Sequence, residues 1–293
     1  MIVLGTRGSQ LALVQANLVV AALRRLPSAP EAVVRVVHSD GDLNPEASLT
    51  DPQVDGWFTS RLQQELAAGS IDAAVHSAKD LPTATPMGLT VPAYLERVDP
   101  RDMVITRGGV PWLELAPGCR LGTSSPRRTA QLEAVRADLN FCRVRGNVPT
   151  RLRLVDQGEV DGIVVAAAGL LRLGLLGEAQ PLDPHSVCTP AAGQGAIAVE
   201  ARADSGWLEV LAALDHLPTR LAVEAERRLL RRMGGGCQLA LGALAEPVSA
   251  GGWLVSAAYS AGGVGLRREA AVIPDLTSQH ALDDLARRLG APG

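Results

Sequence analysis

Apolar and polar residues alternate in short blocks along the first third of the chain, and these blocks predict an α/β structure. Runs rich in β-branched residues predict strands at Ile2–Gly5, Val33–His38 and Ile71–His76. Apolar positions spaced three and four apart predict helices over 9–26 and 59–68. Because alternating strands and helices build largely parallel sheets, we expect this part of the chain to form one α/β sheet.

The same alternation begins again after Asp99-Pro100, so a second unit is expected there. Its predicted elements are strands over 120–123, 141–145 and 162–167 and helices over 126–137 and 148–157. Ser125-Pro126 has the pattern of a helix N-cap followed by the first helical turn. The segment 181–195 is interrupted by proline and glycine and is typical of a connecting loop.

The pattern changes from Pro218 onward. A strongly amphipathic helix is predicted over 219–233, and it ends at three consecutive glycines, Gly234 to Gly236. The elements predicted after it are strands over 239–245, 253–259 and 267–273 and a helix over 278–289. One helix followed by several strands indicates a small α+β third domain.

Composition restricts the kind of ligand. The chain has 293 residues, of which 47% are hydrophobic and 20% charged, as in ordinary globular proteins, and its net charge of −3 argues against a general nucleic-acid binder. Lys79 is the only lysine among 28 cationic side chains, and the rest are arginine. Although genomic composition explains part of this bias, arginine also binds carboxylates in a bidentate fork that lysine cannot form.

Targeting and cysteine signals favour a reduced, cytoplasmic protein. The chain opens on a strand rather than on a secretory signal, and its longest apolar run, 163–171, is too short to span a bilayer. The four cysteines lie far apart without a C-x-x-C pair, so no zinc site is expected. We interpret Cys119, Cys142 and Cys188 as buried structural cysteines. Cys237 follows the three glycines, which leaves two possibilities open, a reactive or modified thiol and a buried one.

Arginines follow several predicted strands, where helices begin. The loops 5–9 and 122–128 each join a strand to a helix, and free N–H groups at such helix starts attract anions. The arginines at comparable positions are Arg7, Arg127, Arg128, Arg145, Arg151 and Arg172. Singly, the arginines of the two loops are explained equally well as solvated charges beside a capped helix, and for Arg145, Arg151 and Arg172 a surface charge is the simpler explanation. Together they would line one crevice with cations, a pattern that suits a polycarboxylate ligand.

The sharpest local feature is the segment His76 to Pro82, where a strand delivers Lys79 and Asp80 side by side to a loop. A carboxylate in a partly desolvated site can stabilise a developing cation and exchange protons with a substrate. The alternative is a surface ion pair at a turn. The common phosphate-loop, zinc-protease and serine-hydrolase motifs are absent from the sequence, and no metal site is predicted.

Eight stretches in order along the chain resemble the porphobilinogen deaminase family, and the resemblance covers nearly the whole length. They are GTRGSQLALVQA at 5–16, HSAKDLP at 76–82, ERVDPRD at 96–102, GTSSPRR at 122–128, RGNVPTR at 145–151, AGLLRLG at 168–174, PAAGQGA at 190–196 and GGGCQLALG at 234–242. So many ordered motifs at matching spacing are not expected by coincidence.

The resemblance implies two similar α/β domains, like those of periplasmic binding proteins, and a small α+β C-terminal domain that carries the cysteine. The domains expected from it are 1–97 with 192–215, then 98–191, then 216–293. The chain after residue 190 would therefore cross back and complete the first domain.

The resemblance also implies an activity, that of hydroxymethylbilane synthase, a transferase of porphyrin and heme biosynthesis. Such an enzyme joins four porphobilinogen units, with loss of ammonia, into hydroxymethylbilane on a dipyrromethane held by a thioether to Cys237. Asp80 would be the catalytic carboxylate, stabilising positive charge on the pyrrole nitrogens. Cofactor contacts would come from Cys237, Lys79, Ser9, Arg127, Arg128, Thr123 and Ser124. Substrate contacts would come from Arg7, Arg145, Arg151, Arg172 and Gln194. A cytoplasmic monomer without metal, membrane or nucleic-acid partners is expected.

One region departs from the family pattern. Family members usually read Gly-Gly-Lys-Gly-x-Phe, followed shortly by a second lysine, where this chain has the segment 54–61 with Asp55 at the first lysine position. Just upstream, their usual Thr-Arg-Gly-Asp reads Ser39-Asp40-Gly41-Asp42 here. The first lysine position is therefore acidic, which questions how this loop would hold carboxylates. Two alternatives stay open on these grounds: a family member with reduced or lost turnover, and a non-catalytic bilobal binding protein. The second would normally carry an export signal and would not need Cys237 together with Asp80.

Overall fold

The computed structural model divides the chain into two compact units, 1–98 with 196–223 and 99–195 with 224–293. The residues described are 1–37, 57–235, 239–261 and 265–291, with side chains omitted for 57–60. The division into three domains stays a prediction. In the part of the chain described, no helix is long and apolar enough to cross a membrane.

The first unit is built on a five-stranded sheet. Its strands are β1 (Ile2–Thr6), β2 (Ala32–Val36), β3 (Ala73–Ser77), β4 (Leu89–Tyr94) and β10 (Ile197–Arg202), and its helices are α1 (Gln10–Leu23), α2 (Trp57–Ala67) and α6 (Leu208–Ala212). The strand order is β2-β1-β3-β10-β4, in which β1 is parallel to β2 and β3. Strand β10 follows the second unit in sequence, yet it runs antiparallel between β3 and β4.

The second unit contains a sheet of the same layout. Its strands are β5 (Asp102–Thr106), β6 (Arg120–Gly122), β7 (Asn140–Cys142), β8 (Gly162–Ala166) and β9 (Gln180–Pro181), and its helices are α3 (Pro126–Glu133), α4 (Val148–Asp156) and α5 (Ala167–Leu173). The order is β7-β6-β8-β5-β9. Strand β6 is parallel to β7 and β8, and β5 is antiparallel to β8 and β9.

A three-stranded antiparallel sheet belongs to the second unit. It consists of β11 (Leu241–Pro247), β12 (Trp253–Tyr259) and β13 (Arg267–Ile273), and α8 (Gln279–Leu289) packs on it. At Gly242 the backbone of β11 passes so close to Thr189 that a Cβ atom would lie 2.3 Å from its carbonyl oxygen. Ala243 N also donates to Pro190 O at 2.9 Å, so the sheet is closely joined to the segment before it.

The remaining helix, α7 (Leu217–Arg232), precedes this sheet and contributes residues to both units. Apolar side chains on one face of it are buried, among them Val223 and Leu229. The packing of this face explains the strong amphipathic pattern in the sequence.

The predicted fold class is confirmed: two α/β sheets accompany a small α+β region. The prediction that all three cysteines outside the glycine segment are buried is wrong for two of them. Cys188 is buried, whereas Cys119 and Cys142 are partly exposed because they lie near the ends of the short strands β6 and β7. Burial raises the pKa of Cys188 to about 12, so this thiol stays protonated at neutral pH.

Candidate functional site

In the first unit, the segment after β3 forms a 3₁₀ turn, Ala78–Asp80, that leaves Asp80 exposed. The base of this turn is fixed to its surroundings at two points. Gln15 Nε2, buried on α1, donates to Ser77 Oγ at 2.8 Å, and Ala78 N donates to Ala196 O at 3.0 Å. Lys79 is half-buried beside Asp80. The structure therefore presents the predicted carboxylate from a well-anchored turn.

The loop between β1 and α1 contains Arg7 and Ser9. Ser9 is the N-cap of α1, and its Oγ accepts a hydrogen bond from Ala12 N at 3.2 Å. Arg7 is half-buried. The hydroxyl of Ser9 thus has a structural role in the helix, and its contact with a cofactor stays a prediction.

In the second unit, two predicted cofactor residues converge on one buried acid at the start of β5. Asp102 is fully buried, and Arg127 and Arg128 are only 4% and 6% exposed. Arg128 Nε and Nη2 donate to Oδ1 of Asp102 at 3.0 and 2.7 Å, and Arg127 Nη1 donates to Oδ2 at 2.7 Å. Arg127 also donates a hydrogen bond to the carbonyl oxygen of Thr189, and Arg128 donates one to the carbonyl oxygen of Val164.

This cluster, Asp102 with Arg127 and Arg128, retains positive charge. Burial alone would raise the pKa of the Asp102 carboxyl, but attraction by the two guanidinium groups outweighs it and holds the pKa well below its ordinary value. Two cations and one anion leave one net positive charge in a buried place. An anion bound nearby would be stabilised by that charge.

Arg151, one turn into α4, lies close enough to this cluster to be influenced by it. Burial lowers the pKa of Arg151, and repulsion from Arg128 lowers it further. Its Nε donates to Gly146 O at 2.9 Å. Two cations that repel each other in a desolvated place form a favourable site for an anionic group.

Among the residues described, Arg172 at the end of α5 is the clearest case of a cation without an acidic partner. Burial lowers its pKa to about 10. Nη2 donates to Gly195 O at 2.7 Å, whereas its Nε is buried and has no hydrogen-bond partner among the residues described. A carboxylate is the group that satisfies such a guanidinium best.

The other polar residues predicted here have structural contacts. Thr123 is buried, and its Oγ1 accepts from Ser125 N at 3.2 Å, while the Ser124 hydroxyl donates to Val144 O. Gln194 Nε2 donates to Asp102 Oδ1 at 2.9 Å, and the Cys188 thiol donates to Oδ2 at 3.5 Å, so four side chains bind that carboxylate. These contacts leave the predicted binding roles untested.

Three further predicted features are Arg145, Cys237 and the segment with the altered charges. Arg145 is exposed after β7. Cys237 lies outside the described residues, as does the segment with the altered charges, apart from Arg61. Arg61 is exposed on α2, with its Nη2 3.4 Å from Glu65 Oε1.

Sequence reasoning missed three buried acids, Asp102, Glu200 and Glu226. Asp102 is the last residue of the stretch ERVDPRD at 96–102, which contributed only to the family resemblance. Glu226 occupies the apolar face of α7, four residues after the buried Ala222 and three before Leu229, and it is fully buried. A charged residue at an apolar position of a helix was the available signal.

The first unit has a buried acid of its own, Glu200 on β10. Gln63 Nε2 donates to its Oε1 at 3.0 Å. Its Oε2 lies 3.2 Å from His76 Nε2, which is an ion-pair distance, but His76 Nε2 lacks the alignment of a hydrogen bond. No guanidinium takes part in the contacts described for this acid.

Comparisons with known proteins show the family of the chain. The family model described as "Porphobilinogen deaminase, dipyromethane cofactor binding domain" matches residues 2–209. A porphobilinogen deaminase of Desulforudis audaxviator (strain MP104C) is 51% identical over 244 residues, 83% of this chain and 79% of its own. That of Roseiflexus sp. (strain RS-1) is 46% identical over 246 residues, covering 84% and 81%. Among solved structures, the methionine-binding protein MetQ covers 73% of this chain and 89% of its own at 11% identity and a TM-score of 0.45.

The matches define a transferase of tetrapyrrole biosynthesis that uses a dipyrromethane cofactor. The chain belongs to the porphobilinogen deaminase family. The relatives do not favour the two alternatives left open by the sequence, a member without turnover and a non-catalytic binding protein.

Proposed function

We propose that this chain binds porphobilinogen through its acidic side groups and uses Asp80 as the catalytic carboxylate of the coupling reaction. The observation that carries the proposal is the surplus of buried positive charge in the second unit. Asp102 neutralises only one of the two guanidinium groups that it holds, and Arg172 is half-buried, with a buried Nε and no acidic partner among the described residues. Porphobilinogen is a single pyrrole that bears two carboxylates, and carboxylates are the groups that such cations bind.

The residues present fit a dipyrromethane for the same reason. When bound, that group supplies the pyrrole α-carbon from which the new chain is extended, and a thioether to Cys237 would hold it. We assign its carboxylates to Arg127 and Arg128, whose guanidinium groups have further N–H donors. Ser9, Lys79, Thr123 and Ser124 complete this proposed set.

Substrate carboxylates are assigned to the remaining cations and one amide. The proposed set is Arg7, Arg145, Arg151, Arg172 and Gln194. Arg151 and Arg172 would gain most from a carboxylate, because burial lowers the pKa of both. Binding an anion there compensates the desolvation of each guanidinium.

Asp80 would stabilise the positive charge that develops during the reaction rather than bind the substrate. Loss of ammonia from the aminomethyl arm leaves a cation that is shared with the pyrrole nitrogen, and an ionised carboxylate stabilises it. After the new carbon–carbon bond has formed, the ring proton must leave, and the same carboxylate is placed to accept it. The exposed position of Asp80 in the anchored turn keeps it accessible for both steps.

Asp80→Asn tests this role. Turnover of porphobilinogen should fall by at least about a hundredfold, the range typical of a lost acid–base group, while the fold is kept. Asp204→Asn is a matched control, since Asp204 is an exposed aspartate of the same unit that pairs with Arg202. Near-normal turnover of the Asp80 variant would exclude the proposed mechanism.

The cofactor attachment has a separate test. The intact mass of the purified protein should exceed that of the bare polypeptide by one dipyrrole, and Cys237→Ala should remove the excess. An unmodified wild-type mass would contradict the proposal.

We further propose a cytoplasmic monomer without nucleic-acid or membrane partners, as family membership supports, and light scattering would test the oligomeric state.

A further inference from the structure

The buried carboxylate of Glu226 joins two parts of the second unit that are distant in sequence. Oε2 accepts a hydrogen bond from Gly193 N at 2.7 Å, and Oε1 accepts one from Ala245 N at 2.8 Å. The side chain is fully buried on α7. An ionised acceptor makes short, strong bonds to backbone N–H groups, so both backbone segments are held firmly to the helix.

The segment 193–195 is part of a tight turn whose shape depends on glycine. Gly193 and Gly195 have φ angles of 75° and 91°, in the left-handed region, and Gln194 N closes the turn by donating to Ala191 O at 2.9 Å. Glu226 binds the first of these glycines. The position of the turn is therefore set partly by this carboxylate.

The far end of the same turn binds Arg172, for which the described part of the chain offers no acidic partner. Gly195 O accepts from Arg172 Nη2 at 2.7 Å, and the intervening Gln194 donates through Nε2 to Asp102 and to Pro100 O. A displacement of the turn would consequently displace the anchor point of the Arg172 guanidinium.

We propose that Glu226 is a positioning residue for substrate binding, which acts by holding the 193–195 turn so that Arg172 faces a substrate carboxylate. This inference rests on the proposed function, in which Arg172 binds such a carboxylate. Bidentate recognition of a carboxylate needs both groups to lie within about 0.5 Å of their best geometry. Glu226 does not touch the substrate, so its effect should pass through Arg172.

Glu226→Gln tests the inference with little change of volume. The amide keeps one acceptor oxygen but turns an N–H donor toward one of the two backbone N–H groups, so that one of the bonds is lost. We expect the KM for porphobilinogen to rise about tenfold, with kcat changed less than about twofold. Glu226→Asp keeps the charge and should give a smaller rise in KM.

A double-mutant cycle with Arg172→Gln separates positioning from general stability. If Glu226 acts through Arg172, Glu226→Gln should change KM by less than about twofold when Arg172 is already glutamine. Glu200→Gln is the matched control, because Glu200 is a buried acid that contacts neither the turn nor Arg172 in the structure. That control should leave KM unchanged.

The outcomes distinguish this inference from the function on which it rests. Equal rises in KM with and without Arg172 would overturn the positioning role and leave the carboxylate-binding role of Arg172 intact. A normal KM in the single variant Arg172→Gln would instead refute that binding role, and the inference with it. Circular dichroism and thermal unfolding would verify the folding of each variant. If Glu226→Gln does not fold, Glu226→Asp provides the same cycle.

Discussion

The two five-stranded sheets share one layout but differ in the side chains that surround the buried acid of each sheet. In both sheets, three parallel strands are followed by an antiparallel fourth strand, and that strand carries a buried carboxylate, Glu200 in the first unit and Asp102 in the second. Glu200 contacts a histidine and an amide, whereas Asp102 holds two guanidinium groups. One framework thus supports the exposed carboxylate proposed as catalytic in one unit and a surplus of cations in the other.

The largest expected difference between the two acids is in stability. Asp102→Asn leaves Arg127 and Arg128 buried without a counter-charge, and it should lower the free energy of unfolding by about 3–5 kcal/mol. Denaturant titration followed by circular dichroism measures this loss. A loss below 1 kcal/mol would mean that the two arginines have another counter-ion.

The same acid should give a distinct pH dependence. The folded pKa of Asp102 is depressed, so its stabilisation is fully present above the unfolded pKa of about 3.9 and disappears as the pH falls toward the folded value. The difference in unfolding free energy between wild type and Asp102→Asn should be constant from pH 7 to about 5 and shrink below about 4. A difference that stays constant down to pH 3 would show that the pKa is not depressed.

Glu200→Gln should have a smaller effect. The glutamine can still accept a hydrogen bond from Gln63, and no buried guanidinium loses its partner, so we expect a loss of about 1–2 kcal/mol. Porphobilinogen turnover should be retained. If this variant were as unstable as Asp102→Asn, the contrast between the two units would be wrong.

The smallest effect, and one of opposite sign, is expected for Arg172→Gln. Burial of this guanidinium disfavours its charged form, so replacing it should raise the unfolding free energy by about 1 kcal/mol, after allowance for its partial exposure and its lost hydrogen bond. Thermal unfolding of the variant would show this gain, while KM rises. A destabilised variant would contradict the view that Arg172 is kept for binding.

The sequence was sufficient for the elements whose signals are local. The strands Trp253–Tyr259 and Arg267–Ile273 have the predicted bounds, and Ser125 caps its helix by accepting from Arg128 N, as its position before Pro126 predicted. Strands β4, β5, β9 and β10 were not predicted, since short strands with proline or charged residues resemble loops.

The partners of the candidate site residues were beyond local reasoning. The arginines of the 122–128 loop were predicted as ligands for anions, but their acid lies 25 and 26 residues earlier, on a strand that the pattern did not reveal. The tertiary fold decides which acid lies beside each guanidinium. For that reason the sequence could suggest which residues bind carboxylates but could not show which of them also hold the protein together.

The position of β10 has a consequence for synthesis of the chain on the ribosome. Residues 197–202 pair with both β3 and β4, so the first sheet lacks its connecting strand until about a hundred further residues have been translated. Until then β3 and β4 each have an unpaired edge, the kind of edge that recruits other strands and leads to aggregation. We expect nascent chains that stop before residue 197 to need chaperone protection, and the sheet β7-β6-β8-β5-β9, whose strands all precede residue 197, to form before the first sheet is complete.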